Sequence, residues 1–167
     1  MSRLETDRLI LRPIEEADLP AYRAIWGNPN VARWLSSSEQ IGSEFADRAF
    51  KAWTKRRNEQ GYAPWAVVNR KTNEFMGHCG LQFIKEFDAP EVLYMLDEPW
   101  WGQGFATEAA LASVAYGLGA LRLDKIAGMA FEENIASTRV LEKCCLSRMG
   151  PINFHGDDLI YYERIGT

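Results

Sequence analysis

The chain has 167 residues, 47% hydrophobic and 25% charged, the size and balance of one domain with a full core, 1–167. A formal net charge of -4 argues against a nucleic-acid binder that works through overall positive charge. No apolar run reaches the roughly 20 residues that cross a bilayer, and the N-terminus carries no apolar block with a small-residue cleavage site. Three cysteines, Cys79, Cys144 and Cys145, make no disulfide framework, so a reduced, cytoplasmic setting is expected.

In chain order, RLILRPI alternates around Leu9 and Leu11 and predicts a short strand. EEADLPAYRAIW places Leu19, Tyr22, Ile25 and Trp26 at helical spacing, ended by Gly27, Asn28 and Pro29. A second helix runs from about Ser43 to Arg57, with Phe45, Ala49 and Trp53 on one stripe and Gly61 closing it. Three strands follow, YAPWAVVN, FMGHCGLQFI and EVLYML, joined by turns at RKTNE and KEFDAP, which suggests an antiparallel meander. GFATEAALASVAYGLGAL predicts a helix, with Phe105, Ala109, Ala112 and Tyr116 on one face. DKIAGMAF then predicts a strand, and Asn134 to Cys144 a helix with Asn134 as N-cap. MGPINFHGDDLIYYERI predicts two strands about a His155–Gly156 turn. The order fits an α/β (mixed α+β) domain: one mixed, mostly antiparallel sheet flanked by about four helices.

The stretch LDEPWWGQGFATEAA, residues 96–110, joins a strand to a helix through Gly102 and Gly104. The first amides of a helix lack intrahelical partners and sit at the positive end of its dipole. Glycines there remove the Cβ atoms that would hold a ligand off those amides, which makes an anion site suited to phosphate. A tight turn with no ligand explains Gly-x-Gly equally well. A P-loop is weak because no Lys follows the glycines. A dinucleotide-binding loop is weak because Thr107 stands where its third glycine belongs.

Four stretches in order, LETDRLILRPIEEAD, FMGHCGL, EVLYMLDEPWWGQGFATEA and ENIASTRVLEK, make the chain similar to the GNAT N-acetyltransferases. Within them it most resembles the subgroup of ribosomal-protein N-terminal alanine acetyltransferases. The resemblance implies a splayed sheet that holds acetyl-CoA in a V-shaped opening, as co-substrate and without a metal. The pyrophosphate would rest on the amides of Gly102, Gln103, Gly104, Phe105 and Ala106, with Thr107 beside them. The pantetheine arm would pair with the strand edge at Met95 and Leu96. By the same resemblance Asn134 bonds that arm, Ser137 lies near the sulfur, and the Met95 amide is the oxyanion donor. NPNVARWL matches the border of the acceptor site, which makes Arg33 and Trp34 the substrate candidates. Two departures stand out. Trp101 replaces a polar residue at the start of the loop, and Cys145-Leu146 replaces Gly-Phe after the last helix, where a non-glycine left-handed residue costs about 1 kcal/mol.

Acetyl transfer to an amine needs the ammonium deprotonated, the carbonyl oxygen stabilised and the departing thiolate hydrogen-bonded or protonated. Glu91 is the first choice of base, with a water relay as its rival, and Ser137 the donor to the thiolate. His78 and Cys79 are strand neighbours on opposite faces, so they form no catalytic dyad. Glu108 in the first turn of its helix is explained by the helix dipole. The expected activity is transfer of acetyl from acetyl-CoA to a primary amine by direct attack in a ternary complex. The acceptor would be a protein N-terminus or a small-molecule amine, acted on by a monomer or homodimer with no nucleic-acid or membrane partner. A non-catalytic module that senses acyl-CoA is the alternative, and a nucleotide-dependent oxidoreductase the weaker third.

Overall fold

The computed structural model describes residues 3–35 and 42–166; Met1, Ser2, 36–41 and Thr167 lie outside it. Eight strands and five α-helices follow in the order β1 (Leu4–Glu5), β2 (Leu9–Arg12), α1 (Leu19–Gly27), α2 (Pro29–Ala32), α3 (Glu44–Gln60), β3 (Trp65–Asn69), β4 (Phe75–Ile84), β5 (Ala89–Leu96), α4 (Phe105–Gly119), β6 (Lys125–Ala130), α5 (Ile135–Lys143), β7 (Ser147–Phe154) and β8 (Asp157–Ile165). This is the expected order with two additions. β1 is a two-residue strand too short to show a period, and α2 is a single turn that starts on Pro29 and is capped by the Asn28 side chain. Among the described residues no helix is long and apolar enough to cross a membrane.

All eight strands form one sheet, ordered β1-β2-β3-β4-β5-β6-β8-β7. Every neighbouring pair is antiparallel except β5 and β6, which run parallel and meet at one residue pair, Glu91 with Ala127. Beyond Glu91 the two strands separate, so the sheet opens into a V whose closed end is that pair.

Two cores pack on opposite faces. One joins Leu9, Leu11, Val92 and Leu96 to Phe105, Ala109, Val114 and Leu141 under α4 and α5. The other joins Tyr22, Ile25, Trp26, Trp53 and Met95 under α1 and α3. Alternation along β5 assigns successive residues to the two faces. The inner face of α4 is rotated from the sequence expectation: Phe105, Ala109, Ala110, Ser113, Val114 and Gly117 are buried, while Ala112 and Tyr116 are half-buried. Gly117 is the reason, because a Cβ there would lie 2.7 Å from Leu81 and 2.9 Å from Ile126.

The end of α5 tests the Cys145 departure. Cys145 takes the left-handed conformation with φ 60°, Leu146 N donates to Leu141 O at 3.1 Å, and Cys145 N donates to Glu142 O at 2.9 Å. The helix therefore ends in the glycine-type left-handed turn, with cysteine bearing the cost.

Candidate active site

The opening between β5 and β6 continues into a cleft of about 1040 Å³ that reaches both faces of the sheet. Its floor is the strand edge from Glu91 to Leu96, and its walls come from α3, from the 101–107 loop and from α5.

Backbone direction along β5 decides what that edge offers. Asp97 N donates to Met76 O at 2.8 Å, and the β4–β5 register runs unbroken from Ala89 to Leu96. Amides alternate along a strand, so the main-chain groups of Met95 face β4, with its carbonyl against Gly77. Those of Val92, Tyr94 and Leu96 face the opening. The Leu96 carbonyl confirms this by accepting the Trp101 Nε1–H at 2.7 Å, from the side away from β4. The expectation that the Met95 amide meets an oxyanion or the pantetheine arm is thus overturned by strand alternation. The groups available are on Leu96 and Tyr94, and Met95 contributes only its side chain to the cleft lining.

The glycine loop lies next to this edge. Gly102 and Gly104 have φ 71° and 81°, left-handed values that carry a steric cost for other residues. A Cβ at Gly102 would meet nothing within 4 Å, and one at Gly104 would meet only Arg8 at 3.5 Å. The glycines therefore serve backbone direction more than space, which refines the sequence argument. Gly104 is the N-cap of α4 and no side chain caps it, so the first amides of the helix remain as donors.

Arg8, which the sequence reading missed, braces the loop. Its Nη1 donates to Gln103 O at 3.0 Å, its Nε pairs with Glu108 at 2.7 Å, and its guanidinium lies 4.2 Å from the centre of the Phe105 ring. Glu108 also accepts from Thr6 Oγ1 at 2.5 Å and from Arg8 N at 2.9 Å. Burial works against its ionisation, but the bonds from Thr6 and Arg8 prevail and hold the carboxyl below its usual range. Its charge is thereby balanced beside the helix N-terminus, and its role is structural. No short-range signal in the sequence joins Arg8 to Glu108, a hundred positions away.

On the α5 side, Asn134 Oδ1 accepts Ser137 N at 3.1 Å, so Asn134 is the expected N-cap. Ser137 has a partner that the sequence did not reveal. Tyr94 Oη donates to Ser137 O at 2.9 Å and lies 2.9 Å from Ser137 Oγ. Burial pushes the Tyr94 phenol well above its ordinary pKa, so it stays protonated and available as a donor. Tyr94 and Ser137 thus make a hydroxyl pair that spans the opening from β5 to α5. Arg139 and Lys143, farther along α5, are exposed and also line the cleft.

Glu91 is half-buried at the closed end of the V, opposite Gln82 in the β4 register. Gln82 accepts the Trp53 Nε1–H at 3.1 Å. This face is lined by Trp26, Trp34, Phe45, Arg48, Trp53 and His78, among other residues. Of the two acceptor-side candidates, Trp34 lines the cleft, whereas Arg33 is exposed and stacks on the Trp34 ring at 4.5 Å. His78 and Cys79 point to opposite faces as expected: His78 Nδ1 meets Tyr22 Oη at 2.8 Å, and Cys79 Sγ meets Ser113 Oγ at 3.5 Å. Burial pushes the Cys79 thiol up to about 12, which leaves it inert as a nucleophile.

A splayed strand pair, an open phosphate-type loop and an aromatic wall behind the strand together define an acyl-transfer cleft. The family model described as acetyltransferase (GNAT) domain matches residues 8–146, and the chain belongs to that family. It is an acyltransferase of the acetyl-CoA-dependent N-acetyltransferase class. The uncharacterized N-acetyltransferase YoaA of Bacillus subtilis (strain 168) is 32% identical over 148 residues, 88% of this chain and 84% of that protein. An acetyltransferase structure from Agrobacterium tumefaciens str. C58 superposes with a TM-score of 0.83 at 25% identity, covering 98% of this chain and 94% of that one. The ribosomal L7/L12 alpha-N-protein acetyltransferase RimL, solved in complex with coenzyme A, shares the fold with a TM-score of 0.80 at 20% identity, covering 99% and 98%.

Proposed function

We propose that the protein transfers the acetyl group of acetyl-CoA to a primary amine by direct attack in a ternary complex, the acceptor being a protein N-terminus or a small-molecule amine. The observation that carries this reading is the opening of the sheet just beyond Glu91, with the Tyr94–Ser137 pair across it and the uncapped start of α4 at its mouth.

The residues fit the co-substrate. The pyrophosphate would be held by the amides from Gly102 to Ala106 and by Thr107 at the α4 N-terminus, where dipole and orphan donors both favour an anion. Arg139 and Lys143 add positive charge nearby. The pantetheine arm would pair with the outward-facing amide of Leu96, with Asn134 at its side. Bound acetyl-CoA supplies the acetyl carbon as a reactive thioester.

Glu91 takes the proton from the acceptor ammonium, directly or through water, and frees the lone pair that forms the N–C bond. The splay-facing amide of Tyr94 stabilises the charge that develops on the carbonyl oxygen. As the C–S bond breaks, Ser137 Oγ–H donates to the thiolate. Tyr94 Oη, bonded to Ser137 O and 2.9 Å from Ser137 Oγ, keeps that hydroxyl oriented across the opening.

The test measures heat stability with acetyl-CoA, NAD and ATP, then thiol release over a panel of amines and peptides. Stabilisation by acetyl-CoA together with turnover is the expected result. Stabilisation by NAD or ATP alone would sink the cofactor reading, and tight acetyl-CoA binding without turnover would favour the sensor.

A further inference from the structure

On the side away from α4 and α5, the cleft wall carries charge as well as rings. α3 lays one face against the cleft, with Phe45, Arg48, Ala52, Trp53 and Arg56 among the residues that line it. Arg48, Ala52 and Arg56 are four residues apart and form one row on that face. Ala52 contributes only a methyl group, so the two guanidiniums stand on either side of a low point in the wall. Among the described residues neither arginine forms an ion pair, whereas Arg8, Arg12, Arg23 and Arg148 each have a carboxylate partner. Two acidic residues of α3 are taken elsewhere, Asp47 by Arg23 and Glu59 by Lys55. The Arg48 guanidinium lies 4.8 Å from the centre of the Phe45 ring. The carboxylates that line the cleft are Glu86, which is 3.4 Å from His155, and Glu91. In a chain of net charge -4, two such cations facing one cavity set a local potential opposite in sign to the whole.

The sheet aligns this row with the proposed base. Glu91 pairs with Gln82 across β4 and β5, and such partners project to the same face. That face is the α3 side, because Trp53 Nε1–H donates to Gln82 Oε1 at 3.1 Å. An indole nitrogen only donates, so this bond holds the Gln82 oxygen toward Trp53 and leaves the Gln82 NH2 group as a donor. That group has no acceptor among the described residues, yet it is not enclosed, since the one buried orphan among them is Trp26 Nε1. α3 starts near His78, where Phe45 packs on Trp26 and Trp26 on His78, and it runs toward Gln82. Arg56, one turn past Trp53, is therefore at the Glu91 end of the row, and Arg48 lies about 12 Å behind it along the helix axis.

We infer that Arg48 and Arg56 select the acceptor by charge, and that the acceptor is an amine bearing a carboxylate. With the amine at Glu91, a carboxylate a few atoms away meets Arg56 and the Gln82 NH2 group. Arg48 is too far back for that carboxylate and meets a second one, such as an acidic side chain about four residues along an extended peptide. Polyamines and other polycations are repelled by the same row. This rests on the acetyltransferase reading and narrows it, because charges placed along a binding surface act chiefly on specificity and capture, and like charges brought together are costly.

The experiment measures thiol release by the wild-type protein on two sets of matched acceptors. One set is γ-aminobutyrate, butylamine and putrescine; the other is a pentapeptide with acidic side chains after its first residue and the same peptide with lysines there. In at least one set the acidic member should be preferred over the cationic member in kcat/KM by about 100-fold at low salt, and by far less at about 0.5 M salt. Preference in the first set only assigns a small-molecule acceptor, and preference in the peptide set assigns a protein N-terminus. A preference below about tenfold in both sets, or no turnover of either acidic probe while acetyl-CoA still stabilises the protein, overturns the inference and leaves the cofactor reading standing. If acetyl-CoA does not bind, the broader reading fails instead. Arg56→Glu should cut the preference by about tenfold through KM, with kcat and acetyl-CoA affinity held, and Arg56→Lys should keep most of it. Arg48→Glu, at an exposed position, should cut the peptide preference in the same way. A preference unchanged in both glutamate variants, or lost as fully in Arg56→Lys as in Arg56→Glu, overturns the charge assignment.

Discussion

The two faces of the sheet use the same strand in different ways. Toward α4 and α5 the cleft is built mainly from backbone: left-handed Gly102 and Gly104, the uncapped amides of α4, and the outward main chain of Leu96. Toward α1 and α3 it is built from side chains, with Trp26, Trp53 and His78 packed around Tyr22. Backbone donors recognise what is constant, a phosphate or an amide edge, and tolerate change in the surrounding side chains. On the proposed reading the side-chain face would meet the acceptor and the backbone face the cofactor, so new rings on α1 and α3 would change the acceptor and leave the cofactor site as it is.

Gly104→Val should separate the faces most sharply. A β-branched residue resists φ near 81°, and the α4 amides would turn away. Calorimetric titration should show acetyl-CoA affinity falling by about 100-fold, roughly 3 kcal/mol. Near-wild-type affinity would mean that the loop is only a turn.

Glu91→Gln comes next, at the pair where the faces meet. The expected loss in kcat is about 100-fold or more, and the rise of rate with pH that reflects loss of the base's proton should disappear. A pH profile of unchanged shape would hand the role to a water relay.

Tyr94→Phe probes the cofactor side alone. Loss of the bond to Ser137 should lower kcat by about tenfold with little change in acetyl-CoA affinity. A fall in affinity without one in kcat would make Tyr94 a wall rather than a positioning residue.

His78 supplies the last test, on stability. Its folded pKa of about 3 lies below the unfolded value near 6.5. The unfolded chain therefore binds this proton more readily, and the His78 contribution is fully present above about pH 6.5. It is lost as pH falls toward 3, by at most about 1.4 kcal/mol per pH unit. Urea unfolding between pH 7 and pH 4 should show a shallower acid loss in His78→Gln than in wild type.

Several elements were legible because short-range chemistry specified them. Asn134 caps α5 as its position in front of a helical pattern implies, and β4 spans the same residues, Phe75 to Ile84, as the quoted strand segment. The meander was visible in its turn residues. Legibility stopped where a feature depended on distant residues. β1 exists by pairing with β2, and the buried face of α4 is set by how Gly117 meets Leu81 and Ile126.

The sequence by itself determined the order of the longer elements, the glycine loop at the head of α4 and the family pattern that joins it to Asn134 and Ser137. These follow from glycine, cap and periodicity signals that act within a few residues. Only the tertiary structure decided that Met95 turns its amide toward β4, that Tyr94 reaches Ser137, that Arg8 braces the loop and that Trp26 and His78 share a pocket. The physical reason is common to all four. Strand register and cross-sheet packing set which atoms meet, and they join residues as distant in the chain as Arg8 and Glu108, 100 positions apart.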